Sequence, residues 1–355
     1  MPWSDVIGQA EPIIRLRSSA AGGRLGQAYA FVGPPGVGKK RCALAFAQAL
    51  LCERAHDDDL DACGHCPSCQ QVAARIHPDL LTVELPKDRA EIPVALIIGD
   101  GEERGRAGLC YELSLHPMLG RRKVAIIDDA ECLNEAGANA LLKTLEEPPP
   151  GVVIILVVSA LEQLLPTIRS RCQLLTFQPL LPTDLRAILK SDPELELPED
   201  LGTVVALSEG SLMTARQLLD PDLRQQRKKL YEHLSNPKFD GVQLADYAKS
   251  LMEGSSTVKA GQRSHAGWMI RFCIEFFRQA LLAVSQGGQA PREFSEVARF
   301  IARYPESSVE QIDRLVELLD RCLLADRQIE ANASLALCLE ALFDDLGKLL
   351  RAPLA

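Results

Sequence analysis

The chain begins with a polar stretch. A helix-like pattern follows, in which Ile13, Ile14 and Leu16 sit among Arg15 and Arg17, and Gly22-Gly23 closes it. The first short apolar run, Ala28 to Val32, reads as a buried strand. It breaks into Gly33-Pro34-Pro35-Gly36-Val37-Gly38-Lys39, and a helix-prone stretch continues to Leu51. Leu80–Leu85 and Gln173–Phe177 are further strand candidates. Val124–Ile127 and Val152–Val158 are continuous apolar runs of the kind a parallel sheet covers on both faces. Asn134–Glu147 predicts a helix: Asn134 suits the N-cap, Ala138, Leu141, Leu142 and Leu145 share a face, and Pro148-Pro149-Pro150 stops it. Strands and helices alternating from Ala28 to Phe177 predict an α/β fold with a doubly wound parallel sheet.

Pro86–Gly120 is the least legible part. Ile92–Ile98 is apolar, whereas Gly99–Gly108 is charged and glycine-rich and reads as an exposed loop. From Pro179 onward the pattern is helical. Three short helices are expected at 182–190, 200–208 and 212–219. Pro221 marks a boundary, and amphipathic helices follow at roughly 223–235, 240–253, 259–284, 292–303 and 308–352, the last one broken. An all-α tail of that length is a separate domain.

Composition narrows the classes. A chain of 355 residues makes two or three domains. Aromatic residues are only 5%, so an aliphatic core is expected. The formal charge is 39 − 48 = −9, whereas a chain that grips DNA alone through phosphates carries a basic excess. A role near DNA is therefore expected through an assembly. No run of about 18 uncharged apolar residues predicts a membrane span, and the start, MPWSDVIGQ, does not read as a secretory signal. Of the 11 cysteines, Cys42, Cys273, Cys322 and Cys338 sit alone at apolar helical positions. They read as small core hydrophobes in a reducing, cytoplasmic setting.

Three stretches carry chemistry. In the first, strand, glycine loop and helix follow in the order a phosphate-binding loop needs. Gly33, Gly36 and Gly38 let backbone N–H groups converge on one anion, with Val37 between them and Lys39 to meet the outer phosphates. The next position of that motif takes a Ser or Thr that binds Mg²⁺; here it is Lys40, which cannot ligate a cation. In the second, Val124–Ile127 ends in Asp128-Asp129. A carboxylate there can hold Mg²⁺ directly or through water, and Asp129 stands where a base would polarise water; a solvated turn is the alternative. In the third, an acidic insert (Asp57, Asp58, Asp59, Asp61) leads to the spacing C-x10-C-x2-C-x2-C over Cys52, Cys63, Cys66 and Cys69. Four thiolates so spaced suit a tetrahedral, structural Zn²⁺. A redox pair, unused thiols, or His65 replacing one cysteine are the other readings.

Together these residues resemble the clamp-loader branch of the AAA+ ATPases. The resemblance rests on Pro2-Trp3 with Ile7-Gly8-Gln9, the GPPGVGKK loop, the cysteine cluster and His77-Pro78-Asp79. It rests further on the Ala138–Pro149 block (ANALLKTLEEPP) and on Leu165–Cys172 (LPTIRSRC). It covers 1–179 densely, and the tail only in helical layout apart from Asn332 and the leucine-rich helix after it. It implies a nucleotide-fold domain (1–179, zinc module about 52–69), a helical lid (180–221) and a collar that packs against sister subunits (222–355). It implies partners as well: gamma/tau-type and delta-type subunits in a hetero-pentamer that loads a ring-shaped sliding clamp onto primed DNA. In that family the arginine of the Ser-Arg-Cys triplet, here Arg171, reaches the γ-phosphate held by a neighbour. Lys40, Asp129 (Glu is usual), Ser159 and Met213 depart from the hydrolytic pattern. They imply a rigid stator that hydrolyses little ATP, with ATP or ADP possible in the loop. The alternatives are a motor ATPase of gamma/tau type and a stand-alone zinc-stabilised nucleotide-binding regulator.

Overall fold

The computed structural model describes residues 3–56, 59–87, 89–255, 259–285, 294–302, 309–331 and 333–351. Pro2, Asp57, Asp58 and Asn332, singled out above, lie outside them. The chain forms two compact units, residues 1–195 with 208–215, and residues 196–207 with 216–355.

In the first unit the order is α1 (Ala10–Ala21), β1 (Ala28–Val32), α2 (Lys39–Leu51), α3 (Pro67–Ala73), β2 (Leu80–Val83), α4 (Val94–Ile98) and α5 (Leu109–Ser114). Then come β3 (Lys123–Ile127), α6 (Glu135–Glu146), β4 (Val152–Val158), α7 (Pro166–Arg169), β5 (Gln173–Thr176) and α8 (Pro182–Ser191). The five strands form one parallel sheet in the order β2-β3-β4-β1-β5. The doubly wound α/β fold expected from the sequence is therefore present. The continuous apolar runs are explained by burial on both faces. Tyr29, Phe31, Val124, Ile126, Val153, Ile155 and Val157 pack toward one side with Phe46 of α2. Ala28, Ala30, Ala125, Ile127, Ile154, Leu156 and Val158 pack toward the other with Leu141 and Leu145 of α6. Each fully buried Val, Leu, Ile or Phe among them contributes about 1.5–3 kcal/mol. Because all strands run the same way, β1, β3 and β4 deliver their C-terminal ends to one edge, where ligands of open α/β sheets bind.

The cap of α6 is as expected: the Asn134 side chain accepts the Gly137 N–H at 2.9 Å. Sequence patterning missed α3, α4 and α5, which are five to seven residues long and too short to show a period. Gly101–Arg106 is exposed, as expected of that loop.

The remaining helices are α9 (Leu201–Leu207), α10 (Leu212–Gln217), α11 (Pro221–Leu234), α12 (Gly241–Ser255), α13 (Lys259–Ser285), α14 (Ser295–Ile301), α15 (Val309–Glu330) and α16 (Leu335–Arg351). Pro221 is the first residue of α11. Its missing N–H is no loss there, and Asp220 caps the helix by accepting from Asp222 N–H at 2.9 Å. The expectation of an aliphatic core holds for the face of the sheet that packs with α6, whereas Tyr29, Phe31, Phe46 and Phe177 cluster on the other face, and it fails again in the helical unit. Tyr231, Phe276, Phe277 and Phe300 meet there edge to face, with centroids 5.0–6.0 Å apart. The few aromatics are concentrated, which a chain average conceals. Cys42, Cys273, Cys322 and Cys338 are buried and unbridged. Among the described residues no helix is long and apolar enough to cross a membrane.

Candidate nucleotide loop, cysteine cluster and exposed arginine

Strand β1 ends where Gly33 N–H donates to Val158 O at 3.3 Å. Gly36 and Gly38 have φ of +76° and +101°, the left-handed region that favours glycine, and Gly38 caps α2. Gly33 has no room for a side chain: a Cβ would lie 2.4 Å from Phe177 O. At Gly36 a Cβ would lie 2.4 Å from Ser211 Oγ and 2.8 Å from Met213 Cβ, and Gly36 O accepts Leu212 N–H at 2.9 Å. The Ser211–Met213 segment thus closes directly onto the loop. Gln9 explains the Ile7-Gly8-Gln9 motif. Its buried amide donates to Val37 O at 3.1 Å and Gln178 O at 2.7 Å, tying the loop to the exit of β5.

Lys39 is 6% exposed, and its ammonium donates to Gly33 O and Pro34 O of its own loop. Burial lowers its pKa, while Glu131, Asp128 and Asp129 hold it up. Lys40 lies one residue on and turns to acids at two strand ends. Its Nζ is 2.8 Å from Glu84, just after β2, and 2.9 Å from Asp128, just after β3. Burial pulls Lys40 down, but hydrogen bonds to Glu84 and Asp128 outweigh it and raise its pKa. Arg75 approaches the other Glu84 oxygen at 3.5 Å. Asp129 has φ of +50°; burial, then Asp128 and Glu131, push its carboxyl above the usual range, with Lys40 and Lys39 opposing.

Two members of this constellation escaped sequence reasoning, Glu84 and Glu131. Glu131 Oε1 accepts Ser159 N–H at 2.9 Å at the end of β4, while Oε2 is buried with no hydrogen-bond partner. Acids just beyond the strand ends were the available signal. These residues do not fit a magnesium ion. Mg²⁺ demands six oxygens in near-ideal octahedral geometry. Lys40 offers none, and its ammonium holds the carboxylate of Asp128 that would have to turn to the metal.

Cys52, Cys63, Cys66 and Cys69 form one cluster, their sulfurs all within 4.8 Å of one another. A tetrahedral zinc with bonds of about 2.3 Å sets sulfur–sulfur edges near 3.8 Å. Cys52–Cys66 and Cys63–Cys69 measure 3.9 and 4.0 Å. Backbone N–H groups of Arg54 and Cys63 donate to Cys52 Sγ, that of Cys66 to Cys63 Sγ and that of Cys69 to Cys66 Sγ, each at 3.4 Å. Such bonds stabilise thiolates; the backbone of His65 first, then that of Cys66, draws Cys63 down to about 6. The cluster could hold a metal ion. His65 stands outside it: its ring bonds the Cys63 carbonyl and Arg54 at an exposed position. The Trp3 indole donates to Leu60 O at 2.5 Å, so the Trp near the chain start pins the segment that carries Cys63.

Arg171 follows α7 and is exposed. Nη1 donates to Thr167 O at 2.8 Å, and Nη2 pairs with Glu146 at the end of α6. The structure does not bring Arg171 together with the chain's own phosphate loop by any hydrogen bond or ion pair among the described residues.

His77-Pro78-Asp79 is structural. The fully buried Asp79 carboxylate accepts the N–H groups of Met118, Leu119 and Gly120 at 2.6, 2.9 and 3.1 Å, and so fixes the turn that enters β3. His77 Nδ1 accepts Asp79 N–H at 3.0 Å, and burial lowers the His77 pKa, with Asp79 and Glu53 opposing. A His with a lowered folded pKa takes up its proton more readily when unfolded. Its stability contribution is thus present above the unfolded value of about 6.5 and lost as pH falls through the folded one. Melting temperature should therefore drop more steeply below about pH 6.5 in the natural chain than in His77→Asn, whose amide oxygen can still accept the N–H. Parallel pH profiles would refute this role.

Residues 8–181 match the protein family described as DNA polymerase III, delta subunit. The chain is 37% identical to DNA polymerase III subunit delta' of Pseudomonas aeruginosa over 217 residues, 60% of this chain and 62% of that protein. It is 34% identical to subunit delta' of Escherichia coli over 222 residues, 62% of this chain and 63% of that protein. With subunit gamma/tau of Mycobacterium tuberculosis it shares 35% over 191 residues, 53% of this chain and 30% of that protein. The match therefore spans a little under two thirds of the length of the delta' relatives. Relatives named delta' and relatives named gamma/tau are matched over similar stretches of this chain, and through residues 8–181 the chain is similar to the family described as DNA polymerase III, delta subunit.

Proposed function

We propose that this chain is the stator of a bacterial clamp loader. It joins gamma/tau-type and delta-type subunits in a hetero-pentamer and helps place a sliding clamp on primed DNA in the cytoplasm. It presents Arg171 to ATP held by a neighbouring subunit. The observation that carries this reading is the contrast between two cations. Both side chains reach solvent, but Arg171 lies after α7, held by Thr167 O and Glu146 with no bond to the chain's own phosphate loop among the described residues, while Lys40 pairs with Glu84 and Asp128 beside that loop. A guanidinium facing a transferring phosphoryl stabilises its spread charge. In this reading 1–179 is the nucleotide-fold domain, 180–221 the lid and 222–355 the collar. Zn²⁺ at Cys52, Cys63, Cys66 and Cys69 fixes the module after α2 and does no chemistry.

The test mixes the purified chain with gamma/tau-type and delta-type subunits of the same bacterium and follows assembly by light scattering and clamp loading on primed DNA. A complex that loads the clamp only when this chain is present is expected; a chain that stays alone ends the reading. Incubated by itself with ATP and Mg²⁺, the chain should show no turnover above background. Turnover within the ordinary enzyme range of about 1–10³ s⁻¹ would instead favour the motor reading.

A further inference from the structure

Lys40 does more than fail to bind a metal. Its ammonium lies 2.8 Å from Glu84 and 2.9 Å from Asp128, two acids delivered by adjacent parallel strands to the edge of the sheet where α2 begins. Together with Lys39, whose ammonium rests on Gly33 O and Pro34 O, the first turn of α2 carries two fixed positive charges against Asp128, Asp129 and Glu131. We propose that Lys40 is a tethered replacement for the divalent cation, so that the loop takes the polyphosphate of a nucleoside di- or triphosphate free of metal.

The electrostatic argument has two parts. A nucleotide arriving with Mg²⁺ would bring a dication against an ammonium that already occupies the space between Glu84 and Asp128 and holds the Asp128 oxygen the metal requires. Like charges brought together there oppose each other, and Lys40 cannot leave, being covalently fixed. A metal-free polyphosphate meets the opposite situation. The loop N–H groups, the positive end of α2, Lys39 and Lys40 favour its charge, and the two ammoniums offset part of the charge of Glu84, Asp128, Asp129 and Glu131 in the place of a metal. The ion pairs to Glu84 and Asp128 preorganise the ammonium, so little side-chain freedom is lost when phosphate arrives. The same arrangement leaves no metal to assist a phosphoryl transfer, which links binding at this loop to retention instead of turnover. The inference rests on the phosphate-loop reading of Gly33–Lys39 and not on Arg171. A chain that holds metal-free nucleotide while Arg171 proves dispensable would keep this inference and lose the stator reading.

The experiment titrates N-methylanthraniloyl-ADP into the full chain, once with MgCl₂ and once with EDTA, and follows the probe's fluorescence anisotropy. Equal affinity in the two conditions is expected. Lys40→Thr restores a hydroxyl and frees Asp128, so its binding should become at least about tenfold tighter with Mg²⁺ than with EDTA. Lys40→Met removes the charge without supplying a ligand and should lose affinity about tenfold or more in EDTA; it serves as well if the threonine variant does not fold. Melting curves of each variant establish folding. Natural protein that binds about tenfold tighter with Mg²⁺, natural protein that binds in neither condition, or a folded Lys40→Thr that stays indifferent to Mg²⁺ would each overturn the proposal.

Discussion

An assembly rebuilt with the Arg171→Ala chain should hydrolyse ATP at the interface this chain serves about 10³-fold more slowly, while forming as readily as before. That loss corresponds to about 4 kcal/mol of transition-state stabilisation, the low end of what a trans arginine supplies. The geometry explains why the two effects separate. The Arg171 guanidinium bonds Thr167 O and Glu146, both at exposed positions. Removing it leaves no buried group unpaired, so the stability of the chain should change by no more than about 0.5 kcal/mol. Arg171→Lys should recover little, because an ammonium lacks the planar fork that spans two phosphoryl oxygens. Single-turnover hydrolysis in the assembly, with light scattering to count subunits, measures both quantities. An unchanged rate at full assembly would remove Arg171 from the mechanism.

The sheet was legible because its signals were redundant. Val152–Val158 is apolar at every position, and such a run suits a strand covered on both faces. The helix at Asn134 carries its own cap, face and stop. The loop after β1 was equally plain, since glycine at positive φ, a strand before and a helix after leave few alternatives. What the sequence hid depends on contacts between residues far apart in the chain. Glu84 and Lys40 are separated by 44 positions; the pairing of β2 with β3 sets Glu84 beside Asp128, and the packing of α2 on the sheet brings Lys40 to both. Asp79 stands just before the strand candidate that starts at Leu80; its three N–H partners come from Met118, Leu119 and Gly120, a stretch without periodicity. Glu131 could be noticed as a third acid beside Asp128 and Asp129, but not its bond to Ser159 N–H. The short helices α4 and α5 complete fewer than two turns, below the length at which amphipathic spacing separates from chance.

Replacing Cys69 by alanine should release the metal from the cluster and unlock residues 52–73 while the sheet stays folded. Structural zinc in small modules contributes about 10–16 kcal/mol of apparent binding energy at neutral pH, far more than the local packing of this segment can replace. Cys69 is fully buried, and its carbonyl accepts the Gln48 amide at 2.8 Å, so the cysteine cluster and α2 are joined at this residue. Ser68 is held on the other side, its N–H and hydroxyl both donating to Glu53 at 3.2 and 3.0 Å. Without a cation nothing draws the remaining sulfurs together, and these bonds lose their anchor. Leu60 and Val72 of the segment pack into the core on one face of the sheet, but the core on the other face contains none of it, which confines the damage to the first. Trp3 supplies an internal reporter: its indole bonds Leu60 O within the released segment and its ring lies 6.4 Å from Phe46. Loosening the segment should expose the indole and shift its emission to the red. Metal analysis should find one equivalent of zinc in the natural chain and less than about half in Cys69→Ala, and amide exchange should accelerate over 52–73 but not over β1, β3 and β4. A natural chain that is folded yet carries less than about half an equivalent would show that the four sulfurs gather without a metal to hold them.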